Sequence, residues 1–321
     1  MKKQFSALML FICSICLSVG AQATPSEELL QALNAQVLRV HVTHQNGSHG
    51  LGSAVVIAQD QAVTNCHVVT DATDVTVMVN GNSLKASAVK PDWYHDLCIL
   101  TVAGLDVPAA KFGVSHTLTY ETAVFTVGYP DKTSQPVNTF GTVKGLFPMD
   151  GSVIIRASSA FKPGASGGGV FDETGSLVGI ITLKSRGSHE HYYYMPVEWV
   201  QALMQKPAQT LGMSAEKPFW AMSGKRPYFM QVVQPYVAQD WKSLLQVSNA
   251  WVKTEPQNAE SWFYLAMAEY ETQDYAQALE HCKKALELRQ DHGLVQDYLH
   301  KISAKMAADN KVFEQTALFK Q

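Results

Sequence analysis

Past its first two dozen residues the chain has no apolar run of about 18 residues, the length a membrane-spanning helix needs. It also lacks any cluster of Lys and Arg long enough to replace the counterions of a nucleic acid, so nucleic-acid binding is not expected. Metal-ligand spacing is missing as well. The nearest candidate, His189-Glu190-His191, cannot place two ligands on one helical face and sits in a polar loop. No metal or other cofactor is expected. Cysteine is scarce, five residues in 321, which excludes a disulfide scaffold as the source of the fold.

The first residues, "MKKQFSALMLFICSICLSVGAQA", combine Lys2 and Lys3, an apolar stretch, and the small-residue pattern Ala21-Gln22-Ala23. This is the make-up of a cleaved signal peptide over 1–23, with a retained N-terminal anchor as the alternative. The mature chain would start near Thr24 and be exported, to the periplasm or beyond, with no membrane span after cleavage. Two of the 25 basic residues leave with the leader, so against 28 acidic ones the mature net charge is −5. Three cysteines remain, Cys66, Cys98 and Cys282. Export permits a disulfide, and the odd count leaves at least one thiol unpaired within the chain.

About 300 residues predict two domains, and the hydrophobic period changes where that expectation requires. From Val37 to Leu183 the chain runs in short Val-, Ile- and Thr-rich segments such as "VLRVHVTH", "SAVVIAQD" and "LVGIITLK". Asn80-Gly81, Pro130-Asp131 and Asp150-Gly151 punctuate them as turns. The pattern predicts an all-β barrel or sandwich pair, closed by one amphipathic helix, "PVEWVQALMQK". Residues 206–224 mix Pro, Gly, Ser and polar side chains and read as a linker. Helical periodicity then runs through 225–308, and 309–321 reads as a tail. The β half with its closing helix is assigned to 24–205.

One stretch in the β half carries chemistry: "KPGASGGGVF", Lys162 to Phe171. Alone, a serine among glycines is ordinarily a turn, and it lacks the G-K-[ST] ending of a phosphate loop. A nucleophilic serine needs a base to accept its proton and an acid to orient that base. "AVTNCHVVTDA" puts His67 at the end of a strand-like run, and "DWYHDLCILTV" puts Asp96 at the start of another. Either residue alone would be structural, but together and in this order His67, Asp96 and Ser166 form a candidate triad. The glycines let the chain turn so that the Gly164 and Ser166 N–H groups face a developing oxyanion, each donor being worth roughly 3–4 kcal/mol of barrier.

"TNCHVV", "HDLCIL" and "KPGASGGGVFDETGSLVGIIT" resemble the three signature segments of trypsin-like serine peptidases, nearest to the bacterial HtrA/Deg branch. The resemblance covers about Val37 to Met204. It implies an all-β, chymotrypsin-like pair of six-stranded barrels with the active site between them. It also implies hydrolysis of a polypeptide substrate through an acyl-enzyme on Ser166. Two departures, Ala165 before the serine and Ala54 where the branch often has glycine, fall at positions expected to tolerate them. The resemblance further places Ala160 at the base of the primary specificity pocket, bordered by Phe161, Leu183 and Lys184. An uncharged base implies small or medium apolar side chains rather than Arg or Lys. The branch usually carries PDZ domains, but none is evident here, so their regulation and oligomerisation are not carried over.

Cys66 precedes His67 and Cys98 lies two residues after Asp96, so a His67–Asp96 bond would bring the two thiols close. A Cys66–Cys98 bridge is one reading and two small buried thiols the other. In the helical half, Ala259 to His292 resembles one 34-residue tetratricopeptide repeat, with Trp262, Leu265, Ala266 and Tyr270 on its first helix. Ala278, Cys282 and Ala285 fall on the second. "RPYFMQVVQPYVAQ" and "DWKSLLQVSNAWVKTEPQN" read as a degenerate preceding repeat, and "GLVQDYLHKISAKM" as a capping helix. One repeat cannot bury its own apolar face, so it must stack on these neighbours and dock on the barrels.

The combined expectation is an all-β double barrel followed by an all-α helical-repeat domain. It would act as an exported serine endopeptidase, with the helical half binding substrate or a protein or peptide partner. The alternative is an exported adaptor with silent or dormant barrels, which binds protein segments through its helices.

Overall fold

A computed structural model describes residues 25–318 except 132, 186–190, 213–215 and 223–225. The expected signal peptide, and His189 and Glu190, lie outside the described residues.

The Val- and Ile-rich runs form strands because alternate side chains can be buried on one face. The first group is β1 (Val37–His44), β2 (His49–Ala58), β3 (Gln61–Thr64), β4 (Ala72–Val79), β5 (Asn82–Lys85), β6 (Ala88–Asp92) and β7 (Leu97–Thr101). They pair antiparallel in the order β5-β4-β1-β2-β3-β7-β6. Seven strands stand where six are expected, and the reason is local. β5 and β6 are two halves of one run, broken only at Ala86-Ser87; the first half pairs with β4 and the second with β7. The two edge strands are therefore consecutive in the chain, and the seven-stranded sheet forms an incomplete ring. Asn80 (φ 49°) and Gly81 (φ 81°) make the two-residue turn between β4 and β5, with positive φ at both central positions.

The second group is β8 (Ala123–Gly128), β9 (Val137–Met149), β10 (Ser152–Ala157), β11 (Gly169–Asp172), β12 (Leu177–Lys184) and β13 (Tyr192–Pro196). These six close into a barrel in the order β10-β13-β12-β11-β8-β9. Two helices bracket the β half: α1 (Glu27–Gln36), capped by the Ser26 hydroxyl, and α3 (Val197–Met204). A four-residue helix, α2 (Cys66–Val69), interrupts the first ring between β3 and β4. α3 packs back on β6 and β7, and Trp199 on it stacks against His95 at a ring distance of 3.9 Å.

Residues 206–224, expected as a linker, are tied to the first ring at both ends. Gln209 exchanges two backbone hydrogen bonds with Val89, and the buried Phe219 donates its N–H to the Tyr94 carbonyl. The helical half then comprises α4 (Tyr228–Gln231), α5 (Val233–Val237), α6 (Trp241–Thr254), α7 (Ala259–Glu271), α8 (Tyr275–Leu288) and α9 (Gly293–Leu318). Asp240, Asn258 and Asp274 accept N–H bonds as N-caps of α6, α7 and α8. Ala266, Ala278, Cys282 and Ala285 are fully buried, so small side chains let α7 and α8 approach closely, as the repeat pattern requires. Burial first, and Glu269 second, push the Cys282 thiol up to about 12, leaving it a packing residue rather than a reactive thiolate.

The helical half docks on the second barrel, and one apolar core runs through both. Phe147 and Tyr193 of the barrel meet Phe229 on α4 and Trp251 on α6. Beside them lies a buried polar knot. Arg156 on β10 donates to the Tyr264 hydroxyl on α7 at 2.7 Å, and the Tyr120 hydroxyl donates to Glu260. His292 Nε2 lies 3.3 Å from Glu260 Oε1, and its ring stacks on Tyr120. Burial alone would raise the Glu260 carboxyl, but His292 and Arg156 hold it below the ordinary glutamate value.

Glu260→Ala would leave the buried His292 and Tyr120 without their carboxylate and remove the negative charge that offsets buried Arg156, and is expected to cost about 3–5 kcal/mol at neutral pH. Equilibrium urea unfolding measures it. Because the folded carboxyl titrates below its unfolded value, its contribution is full above the ordinary carboxylate range. It is lost as pH falls through the lowered value, so the gap between variant and wild type narrows in acid.

Candidate active site

His67 sits on α2, its side chain about one-third exposed, whereas Asp96 is buried. Both carboxylate oxygens of Asp96 serve the histidine. One lies 2.6 Å from His67 Nδ1 and the other accepts the His67 backbone N–H at 2.8 Å. The carboxylate thus fixes both the ring's orientation and the segment that carries it. Asp96 is itself in the left-handed region (φ 60°), an uncommon conformation for a non-glycine residue. Its backbone carbonyl accepts bonds from Asn65 Nδ2 and the Cys66 N–H, and Asn65 also donates to Thr182 on β12. Conformational cost at Asp96 is therefore offset by bonds on every side of the residue.

The Cys66–Cys98 bridge forms, with Cα atoms 4.9 Å apart and a sequence separation of 32. It ties the residue before His67 to the strand that begins next to Asp96.

Ser166 lies in the loop between β10 and β11, which is pressed against the segment leading to His67. Its carbonyl accepts the Ser53 N–H at 2.8 Å, and the Ser53 hydroxyl donates to the Gly164 carbonyl. Two glycines are obligatory here. A Cβ on Gly167 (φ 88°) would stand 2.0 Å from the Ser53 carbonyl oxygen and 2.4 Å from Thr64 Oγ1. One on Gly164 (φ 92°) would stand 2.6 Å from the Asp131 backbone nitrogen. Ala165, Gly167 and Gly168 spend their N–H groups on Lys162, Ile181 and Ala165 carbonyls. Those of Gly164 and Ser166 make no such bond among the described residues. His67 and Asp96 are joined directly, but no hydrogen bond joins the His67 ring to Ser166 Oγ among the described residues. Such bonds commonly tighten only when substrate is bound.

Next to Ser166 opens a cavity of about 440 Å³, whose lining includes Ala160, Phe161, Ala165, Val137, Ile181 and Lys184. Ala160 and Phe161, the expected base and border of the specificity pocket, both line this cavity. Leu183 does not. A β-bulge between Ile181 and Leu183 shifts the register of β12, pairs Leu183 with Tyr193, and turns it to a second, neighbouring cavity. One residue that sequence reasoning missed is Trp220, from the expected linker. Its ring stands edge-on to His67 at a centroid distance of 6.0 Å. No local signal marks it, because a tryptophan among Pro, Gly and Ser residues gives no hint of where the chain returns.

Residues 52–180 match the trypsin-like peptidase domain family, and residues 259–292 match the tetratricopeptide repeat. The first matched segment contains His67, Asp96 and Ser166. Among curated proteins, a probable periplasmic serine endoprotease DegP-like from Pseudomonas savastanoi pv. phaseolicola is 37% identical over 142 residues. That match covers 42% of this chain and 29% of the relative. A relative of the same description from Halomonas elongata is 32% identical over 142 residues, covering 43% and 30%. The chain thus spans under a third of the length of these relatives. Among solved structures, the HtrA-type protease AlgW with tripeptide aligns at a TM-score of 0.51 and 26% identity, over 56% of this chain and 63% of that one. The Rv3671c protease from M. tuberculosis, active form, shares the fold at a TM-score of 0.53 and 19% identity, over 68% and 98%.

The bridge anchors the residue next to His67. Replacing both Cys66 and Cys98 with alanine is expected to cost about 3–4 kcal/mol on the loop-entropy scale for this separation of 32 residues. The fall in urea midpoint under oxidising conditions checks this. Dithiothreitol should lower the wild type toward the variant and leave the variant unmoved.

Proposed function

We propose that the chain is an exported serine endopeptidase that cleaves polypeptides through an acyl-enzyme on Ser166. The observation that carries this reading is the doubly bonded His67–Asp96 pair on the segment against which the glycine-bounded serine loop packs, at Thr64. His67 takes the Ser166 proton during attack on the substrate carbonyl and returns it to the leaving amine. Asp96 keeps the Nδ1 proton in place and stabilises the imidazolium that forms. The Gly164 and Ser166 N–H groups, spared from internal bonds, receive the oxyanion of the tetrahedral intermediate. The cavity beside Ala165, apolar and based on Ala160 and Phe161, supports a small or medium apolar side chain on the residue whose carbonyl is attacked. Export is supported by the leader sequence, by the periplasmic description of the relatives, and by a disulfide that suits an oxidising compartment. Among the described residues no helix is long and apolar enough to cross a membrane.

A second reading, a dormant peptidase or adaptor that binds protein segments through its helices, is favoured by one observation: the Ser166 Oγ–His67 bond is not made in this state. The helical half bears on it too. Most of α7 is buried between α6, α8 and the second barrel, so the repeat's first helix is already engaged within the chain.

A fluorophosphonate probe separates the readings. The mature wild type is expected to label, and Ser166→Ala is expected not to, with kcat on peptide substrates down by about six orders of magnitude. Asp96→Asn should retain the serine yet lose about 10⁴-fold in kcat, because the ring then takes the wrong tautomer. A wild type that stays unlabelled would establish the dormant reading instead.

A further inference from the structure

A second cavity, of about 360 Å³, adjoins the first; Lys184 lines both. Its walls come from the two halves of the molecule. Leu183 and Tyr193 belong to the barrel, Trp220 to the segment that follows it, and Met230, Val233 and Gln234 to the first turns of the helical half. We propose that this cavity holds the side chain of a substrate residue that precedes the scissile bond, so that the helical half forms one wall of the peptide cleft. The inference rests on the peptidase reading above.

Three observations carry it. The first is continuity. Ala165, beside the nucleophile, lines the near side of the first cavity, and Lys184 lies on the border with the second. A peptide with its attacked residue in the first cavity reaches the second by following β12 away from Ser166. Among the described residues β11 and the serine loop hold that edge of β12 as far as Ile181, and β12 runs on past them through Thr182 and Leu183, where an extended chain can lie beside it. Strand addition of this kind gives affinity through the main chain and selectivity through alternate side chains. The second is Trp220. Its ring reaches from His67 to this cavity, and its indole N–H is buried with no acceptor among the described residues. A buried unsatisfied donor is costly, and a peptide carbonyl in the cleft would satisfy it. The third is chemistry. Leu183, Trp220, Met230 and Val233 supply the apolar part of the lining and Lys184, Ser185, Arg226 and Gln234 the polar part, so the side chain selected is apolar and not cationic, with an extended polypeptide as the ligand class.

The arrangement explains why the supposed linker is pinned at Val89 and Tyr94. Those anchors fix Trp220 over the histidine, and the aromatic contacts of Phe229 fix α4 beside the cavity. The helical half then selects substrate at the catalytic cleft itself, rather than at a remote groove.

The test uses the full mature chain and a fluorogenic peptide library with a fixed apolar residue at the scissile position and varied residues at the three preceding positions. The wild type is expected to favour Leu over Gly at one of these positions by about 10–200-fold in kcat/KM, the range set by filling an apolar pocket. Met230→Asp and Gln234→Asp, the second a substitution at an exposed site, should each turn that preference toward Lys or Arg at the same position. A misfolded variant cannot produce such a gain. Wild-type indifference at all three positions, or an unchanged profile in both variants, would overturn the proposal while fluorophosphonate labelling of Ser166 keeps the peptidase reading intact. If the wild type neither labels nor cleaves, the peptidase reading falls and this inference falls with it.

Discussion

Everything in the cleft depends on how Asp96 is held. Its two oxygens grip one histidine at two points, ring and backbone, and its carbonyl is gripped in turn by Asn65 and Cys66. A buried carboxylate in a left-handed conformation is costly unless every bond around it is made. Here His67, Asn65 and Cys66 make them, and Asn65 reaches on to the second barrel. Thr182, from the second barrel, receives the other bond of Asn65. The geometry of His67 is therefore coupled, through Asn65, to the packing of the first sheet on the second barrel, and the Cys66–Cys98 bridge closes the same circuit covalently.

The serine is positioned by a different physical means, close backbone approach. Gly167 comes so near Ser53 and Thr64 that no side chain fits, and Gly164 does the same against Asp131. Hydrogen bonding sets His67 and steric exclusion sets Ser166. The two are joined through the stretch from Thr64 to His67, which touches both.

Much of this was legible in the sequence because it is local. Short Val- and Ile-rich runs, "TNCHVV", "HDLCIL" and the glycine loop each declare their conformation within ten residues, and their order supplies the rest. The 34-residue repeat is legible for the same reason, since its small residues mark a close helix contact. What could not be read depends on distant partners. The bulge that redirects Leu183 arises from pairing with β13, and the joining of β5 to β6 depends on which strands each half finds. Trp220 was hidden most completely. Proline, glycine and serine around it describe a chain without regular structure, and such a chain can still be fixed by a few bonds, as at Val89 and Tyr94.

The shared core of barrel and helices also bears on how the molecule comes into being. The face of the second barrel that presents Phe147 and Tyr193 is finished only when Phe229 and Trp251 arrive to cover it. Both are encoded later in the chain, and a domain made N-terminus first emerges at about 5–20 residues per second. For those seconds the nascent barrel exposes an aromatic surface that the finished molecule never shows. A chain cut after β13 would carry that sticky surface permanently, so the helices act as the barrel's own built-in chaperone.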